Sequence, residues 1–290
     1  MSDSANHRSE RLLEILDLQQ IEQNLYLGQN ETAQGKRLFG GQVLAQALTA
    51  AYRTVDGLHC HSLHAYFIRA GNAARPVLYE VERIRDGRSF TTRRVVAIQN
   101  GEAIFSMDVS FQVDELGFRH AHPMPNVPLP HELRDDVAVA AEIDANDPRM
   151  GAMVKIERPF ETRSVFPLGS DEWAQNRFFS PTWIRFRDAP AVEDQSLSRC
   201  LLAYASDMSL VSTASLPHQS DITRDKLQMA SLDHALWIHR SVPINQWLLF
   251  HKRTSTAQAS RGMVHADFYA ESGTLIASVT QEGLVRIRRA

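Results

Sequence analysis

Cysteine is scarce: the 290-residue chain has two, Cys60 and Cys200. That excludes a disulfide framework and a cysteine-built zinc site. No apolar run approaches the ~20 residues that a membrane-spanning helix needs. The polar opening MSDSANHRSERLL lacks the apolar centre of an export signal. Excess positive charge is missing as well. The formal net charge is −3, so the chain as a whole is not suited to neutralising a nucleic acid. Lysine is rare, with four (Lys36, Lys155, Lys226 and Lys252) against 27 arginines. Arginine is the better planar clamp for phosphate or carboxylate, but genome composition produces the same bias, so only arginines gathered at a site carry meaning. There is no G-x-S-x-G elbow, no P-loop and no G-x-G-x-x-G, which removes the usual signatures of serine hydrolases and nucleotide cofactors. What remains is an ordinary globular composition, 43% apolar and 22% charged, on a chain long enough for about two domains. The expectation is a cytoplasmic protein that binds neither membrane nor nucleic acid.

The chain repeats itself. The stretch from Leu12 to Ile21 has helical spacing and reads as a lead-in helix. Gly40-Gly41 then opens GQVLAQALTAAY, whose Val43, Ala47, Ala50 and Ala51 recur at helical intervals, so a buried helix is predicted. HSLHAYFIRAG follows, and then the candidate strands VLYEVERI, FTTRRVVAIQ and AIFSMDVSFQ, separated by the turn signals Asp86-Gly87 and Asn100-Gly101. Residues 113 to about 150 break the pattern. Pro123, Pro125, Pro128 and Pro130 fall within eight positions, a linker-like composition that favours disorder. A second apolar helix, read over Ser198–Val211, precedes SLDHALWIHR, WLLFHKRTST, GMVHADFYA and TLIASVTQEGLVRI. His64-Ala65 matches His234-Ala235 at a spacing of 170 residues, while Gly101 matches Gly273 and Ser106 matches Ser278 at 172. A shared order of elements at near-constant spacing points to duplication. The predicted class is α+β: two units, each an antiparallel sheet wrapped around a buried helix. The boundaries read as 1–117 for the first unit with its lead-in helix, 118–150 for the linker and 151–290 for the second.

The two copies differ at a few positions. Leu275, Ala277 and Val279 set the apolar face of the last strand, and Gln281 falls on that face where the first copy has Val109. A buried amide without partners costs roughly 1–3 kcal/mol. Gln281 is therefore either a site residue, a structural hydrogen-bond group, or the mark of a strand that has already ended. Asp207 shares a helical stripe with Cys200, Ala203 and Val211. A carboxylate on an apolar face has a tunable pKa and is a general-base candidate; a capping role beside Ser206 and Ser209 is the alternative. His59, Cys60, His61 and His64 have metal-ligand chemistry. On a strand, however, His59 and His61 share one face while His64 takes the other, so no metal is expected there. His64 and His234 read as core or interface residues, with His234 a reserve base. Arg88, Arg93 and Arg94 beside Thr91-Thr92 offer phosphate contacts or, more commonly, surface salt bridges.

Read together, LFGGQVLAQAL, HSLHAYFIRAG, DGRSFTTRRV, YASD, SLDHALWIH and VTQEG closely resemble the type II acyl-CoA thioesterases, whose bacterial and peroxisomal members are double-hotdog enzymes. The resemblance runs from about Leu12 to Arg288, the Pro-rich linker excepted. It implies a catalytic set of Asp207 from the Y-x-S-D motif, Ser231 from the hydroxyl position before φ-D-H, and Gln281 from Q-E-G. Many bacterial members have Thr in place of Ser231, and nothing in the residue pattern alone marks that position. The implied chemistry is hydrolysis of acyl-CoA by general-base activation of water, with no covalent intermediate and no cofactor. One active site per chain is implied, and a homo-oligomer, dimer or tetramer. The final residues Arg288-Arg289-Ala290 are not the S-K-L of a peroxisomal address. Alternatives are an acyl-thioester hydratase or dehydratase using His234 and Asp233, a thioesterase for acyl-carrier protein, and a non-catalytic acyl-CoA-binding module.

Overall fold

A helix that is apolar on every side must be buried on every side, and the rest of the architecture follows from covering two such helices. The computed structural model describes residues 2–31, 37–142, 159–167, 169–187 and 192–288. After α1 (Ser2–Leu16), β1 (Gln19–Glu22) and β2 (Leu25–Gly28) comes α2 (Gly40–Tyr52), buried along nearly its whole length. Its two polar interior residues are satisfied. Gln46 Nε2 donates to the carbonyls of Ile15 and Gln29, its Oε1 accepts from Tyr79 Oη at 2.7 Å, and Gln42 donates to Asn30 at 2.8 Å. Strands β3 (His59–Phe67), β4 (Val77–Asp86), β5 (Phe90–Gln99) and β6 (Glu102–Gln112) wrap around α2.

The second half repeats the plan. It contains α3 (Asp136–Glu142), β7 (Phe160–Ser164), α4 (Asp171–Gln175) and β8 (Phe179–Phe186), followed by the central helix α5 (Gln195–Ser206). The short α6 (Leu210–Thr213) leads to β9 (Leu227–Ser231), β10 (Asp233–Ile238), β11 (Leu248–Gln258), β12 (Arg261–Ala270) and β13 (Leu275–Ile287). The strands run β1-β2-β4-β5-β6-β3-β10-β13-β12-β11-β8-β7, with β9 added on β13 and every neighbour antiparallel. This is a double hotdog, joined into one sheet through β3 and β10.

The duplication extends to irregularities. Asn100 and Gly101 both have positive φ (53° and 76°), as the predicted two-residue hairpin requires, and Gly273 (φ 85°) turns the matching hairpin. In β6, Ile104 has no partner opposite it on β5; in β13, Ile276 has none on β12. These two bulges lie 172 residues apart, the spacing that also relates Val109 to Gln281, and both of the latter face the core.

Several expectations are corrected. The lead-in helix ends at Leu16, and Ile21 belongs to β1, because the chain turns to start the sheet. The second helix stops at Ser206 rather than Val211, so Asp207 caps its end instead of lying along its flank. His64 and His234 are not equivalent. His64 is exposed and packs edge-on against Trp237, whereas His234 is buried. The β3–β10 register pairs His234 with inward-facing Ala65 and His64 with Ala235, and a one-residue offset changes the face. The Pro-rich stretch is ordered as far as Glu142; its remainder, 143–150, lies outside the described residues. It runs over the outer face of the second half's strands, where Met124, Val127, Leu129 and Leu133 pack on Trp183, Leu249 and Tyr269. Trp183 Nε1 donates to the Pro128 carbonyl at 2.9 Å. Arg93 is a buried structural cation rather than a phosphate ligand, bonded to Thr54 and Asp86, while Arg94 pairs with Asp108 at 2.8 Å.

Candidate active site

The two central helices meet end to flank. Gly41, in the first turn of α2, lies so near α5 that a Cβ there would sit 2.3 Å from the Tyr204 carbonyl oxygen. A Cβ on Gly40 would fall 2.6 Å from Asp207 Oδ2. Glycine is required at both positions by close approach. The N-terminus of one half's helix is thereby set against the carboxylate that ends the helix of the other half. Phe39, preceding α2, packs edge-on against Tyr204 at 5.0 Å and fixes the approach.

Asp207 follows the last turn of α5, and Ser209 takes a left-handed conformation (φ 57°) as the chain reverses into α6. The Asp207 carboxylate is buried and accepts three hydrogen bonds. Gln281 Nε2 donates to Oδ1 at 2.8 Å, Ser231 Oγ donates to Oδ1 at 3.2 Å, and the Gly41 backbone N–H also donates. Burial raises the pKa to about 6, and the three donors restrain the rise. Ser231 ends β9 opposite Gly283, and Gln281 points inward from β13 two residues before it. The structure thus brings Asp207, Ser231 and Gln281 together from three separate elements.

A cavity of about 550 Å³ opens beside them. Asp207 and Ser231 line it with Phe39, Phe67, Phe105 and Tyr204, and its lining also includes Arg37, Arg69 and Arg224. It is bounded by both halves of the chain. The other sequence candidates lie elsewhere. His61 bonds Ser110 Oγ at 2.8 Å on β3, and among the described residues no three His, Cys, Asp or Glu side chains gather in a metal-binding arrangement. Asp233 accepts from the Glu282 backbone N–H at 2.7 Å. His234 touches the cluster from behind: its Nδ1 lies 3.1 Å from Gln281 Nε2 and its Nε2 2.9 Å from Ser206 Oγ. Sequence analysis places Ser206 beside Asp207 only as a capping neighbour and does not connect the Gly41 amide with the cluster. The double glycine ahead of an apolar helix was the available signal for Gly41.

The first half lacks this arrangement. Its helix is capped by Arg53, paired with Asp17 at 2.6 Å, and buried Val109 stands where the second half has Gln281.

The chain is an α+β double hotdog with a buried carboxylate, hydroxyl and amide cluster beside a cavity between its halves. Comparison with known proteins identifies the family. Residues 155–284 match the model described as Acyl-CoA thioesterase, and residues 29–112 match Acyl-CoA thioesterase N-terminal domain. Acyl-coenzyme A thioesterase 8 of Mus musculus is 36% identical over 98% of this chain and 92% of its own length. The crystal structure of acyl-CoA thioesterase II TesB2 from Mycobacterium marinum superposes with a TM-score of 0.79 at 37% identity, covering 97% of this chain and 98% of that one. A hot dog fold protein of unknown function from Alicyclobacillus acidocaldarius, 16% identical, shares the fold with a TM-score of 0.76 over 96% of this chain and 99% of its own. The chain belongs to the acyl-CoA thioesterase family.

Proposed function

We propose that this protein hydrolyses acyl-CoA to a free fatty acid and CoA, with Asp207 as general base and Ser231 and Gln281 as the groups that hold the attacking water beside it. The observation that carries the reading is the buried Asp207 carboxylate, bonded by Gln281 and Ser231 at the wall of a largely apolar cavity. Ionised Asp207 takes a proton as the water oxygen attacks the thioester carbonyl, and such proton transfer contributes typically 10²–10⁴-fold. The oxyanion develops near the N-terminus of α2, where the Gly40 amide and the helix dipole favour negative charge. The carbon–sulfur bond then breaks, and the proton held by Asp207 neutralises the departing thiolate. Hydrolysis of this kind needs no cofactor.

Arg37, Arg69 and Arg224 on the cavity lining supply charge suited to the phosphates of CoA, and the aromatic wall accommodates the acyl chain. His234 has both ring nitrogens bonded within the protein, which disfavours the hydratase reading. In this proposal residues 1–117 and 151–290 form the two hotdog units and 118–150 joins them. The protein is cytoplasmic and homo-oligomeric. Among the described residues no helix is long and apolar enough to cross a membrane.

The test is thiol release from acyl-CoA esters of increasing chain length, with wild type and Asp207→Asn in parallel. Turnover by wild type and a loss of at least about 100-fold in the variant, with acyl-CoA binding retained, is the expected result. Absence of turnover across the series overturns the reading. Binding without turnover in wild type transfers it to a binding module, and turnover confined to carrier-protein thioesters transfers it to that substrate class.

A further inference from the structure

Gln281 is fully buried and has two amide hydrogens and one carbonyl oxygen to place. One hydrogen goes to Asp207 Oδ1 at 2.8 Å and the other to His234 Nδ1 at 3.1 Å. Its Oε1 is buried with no protein partner among the described residues. Turning the amide end for end would set Oε1 against the acceptor-only carboxylate, and an acceptor at His234 Nδ1 opposes the turn a second time, whereas a donor there would favour it.

The far side of the ring decides that. Ser206 Oγ donates its single proton to the Ala203 carbonyl at 2.8 Å. It can therefore only accept from His234 Nε2, which lies 2.9 Å away. The imidazole is the Nε2–H tautomer, and its Nδ1 lone pair faces Gln281. Burial pushes the His234 pKa down to about 3, which keeps the ring neutral.

We propose that Ser206 and His234 are positioning residues: by fixing the imidazole tautomer they give the Gln281 amide a second acceptor and so hold its N–H end on Asp207. The inference rests on Asp207 acting as the base. The groups facing that carboxylate are the Gly41 amide from α2, Ser231 from β9, Gln281 from β13 and His234 at 4.0 Å from β10. Of these only His234 titrates, and it stays uncharged at any pH where the enzyme is assayed. The chain of donors therefore runs one way, from His234 to Ser206 and from Gln281 to both His234 and Asp207.

The test is a mutant cycle on the full chain, using His234→Leu, Ser206→Ala and Gln281→Ala singly and in pairs, with kcat, KM and the pH profile of kcat/KM read for each. His234→Leu is expected to lower kcat about 10- to 100-fold, the scale of one hydrogen bond to a charged group, with KM unchanged within about twofold. Its acidic limb moves to higher pH, because Gln281, no longer anchored through its second hydrogen, holds the ionised Asp207 carboxylate less firmly. In the Gln281→Ala background, His234→Leu adds nothing. Ser206→Ala, which keeps the volume of the site, moves kcat and the limb in the same direction and serves as the first arm if His234→Leu does not fold. Nitrogen-15 NMR of the wild-type histidine rings reports an Nε2–H tautomer for His234. Equal losses with and without Gln281, an unmoved acidic limb, or an Nδ1–H tautomer in an active wild type overturns this inference alone. A wild type that hydrolyses no acyl-CoA overturns the hydrolase reading and the inference with it.

Discussion

Asp207 has a pKa of about 6 because burial outweighs its three donors, and two expectations follow for that single residue. The base form is lost as the medium is acidified, so kcat/KM falls through an apparent pKa near 6 and is flat above it; a pH profile on a saturating-length acyl-CoA checks this. The second concerns stability. Because the folded-state pKa is raised above the unfolded one, the native state binds more protons than the unfolded chain between about pH 4 and 6. Stability is therefore lost as pH rises through that window. A shift of about two units corresponds to ~3 kcal/mol. Asp207→Asn is expected to unfold at a higher temperature than wild type at pH 7.5, with the gap closing toward pH 4; calorimetry at both values is decisive. The members of the cluster were unequally legible in the sequence. Gln281 stood out because alternation placed an amide on an apolar face. Asp207 was singled out through a helical stripe that does not exist: the helix ends one residue earlier, and the carboxylate is buried because the chain folds back over it. Ser231 had no periodic signal, since its place depends on where β9 meets β13, and only the family resemblance named it. The His234–Ser206 contact joins a strand to a helix end and has no trace in either segment alone.

At the level of elements, strands with a solvent face declare themselves. β6 alternates cleanly, and the Asn100-Gly101 pair fixes the register of its hairpin with β5. β7 and β8 were not read, because FETRS and FSPTWIRF have no clear alternation once the Pro-rich stretch covers their outer face. The Pro-rich stretch reads only as linker, since extended chain carries no period and its order derives from partners such as Trp183. The contact between α2 and α5 is likewise tertiary, and it yields a sharp expectation. Gly41→Ala drives a methyl group into the Tyr204 carbonyl and is expected to destabilise by about 1–3 kcal/mol, as overpacking does, with activity falling in parallel. Gly117→Ala, where a Cβ meets nothing within 4 Å, is the matched control. Denaturant midpoints of the two variants test the assignment.

At the scale of the whole molecule, three arginines line the cavity in which the proposed substrate carries its phosphates. Replacing Arg37, Arg69 and Arg224 by alanine, singly and together, is expected to raise KM for acyl-CoA by several-fold per residue while leaving kcat nearly unchanged, because contacts distant from the reacting carbonyl bind ground state and transition state alike. A fall in kcat at constant KM instead would place these residues at the chemistry. The seam between β3 and β10 has a broader consequence. One half of the chain contributes an amide at the start of a helix, the other contributes the carboxylate, and a shared sheet holds them in register. Neither half owns the site, so neither can loosen without dismantling it. A denaturant series is therefore expected to show activity and backbone structure disappearing together, at one midpoint. Joining the two units thereby gives something that two separate copies lack: a single cooperative unit in which the corner around Arg53 and buried Val109 supports the fold while the other corner holds the carboxylate cluster.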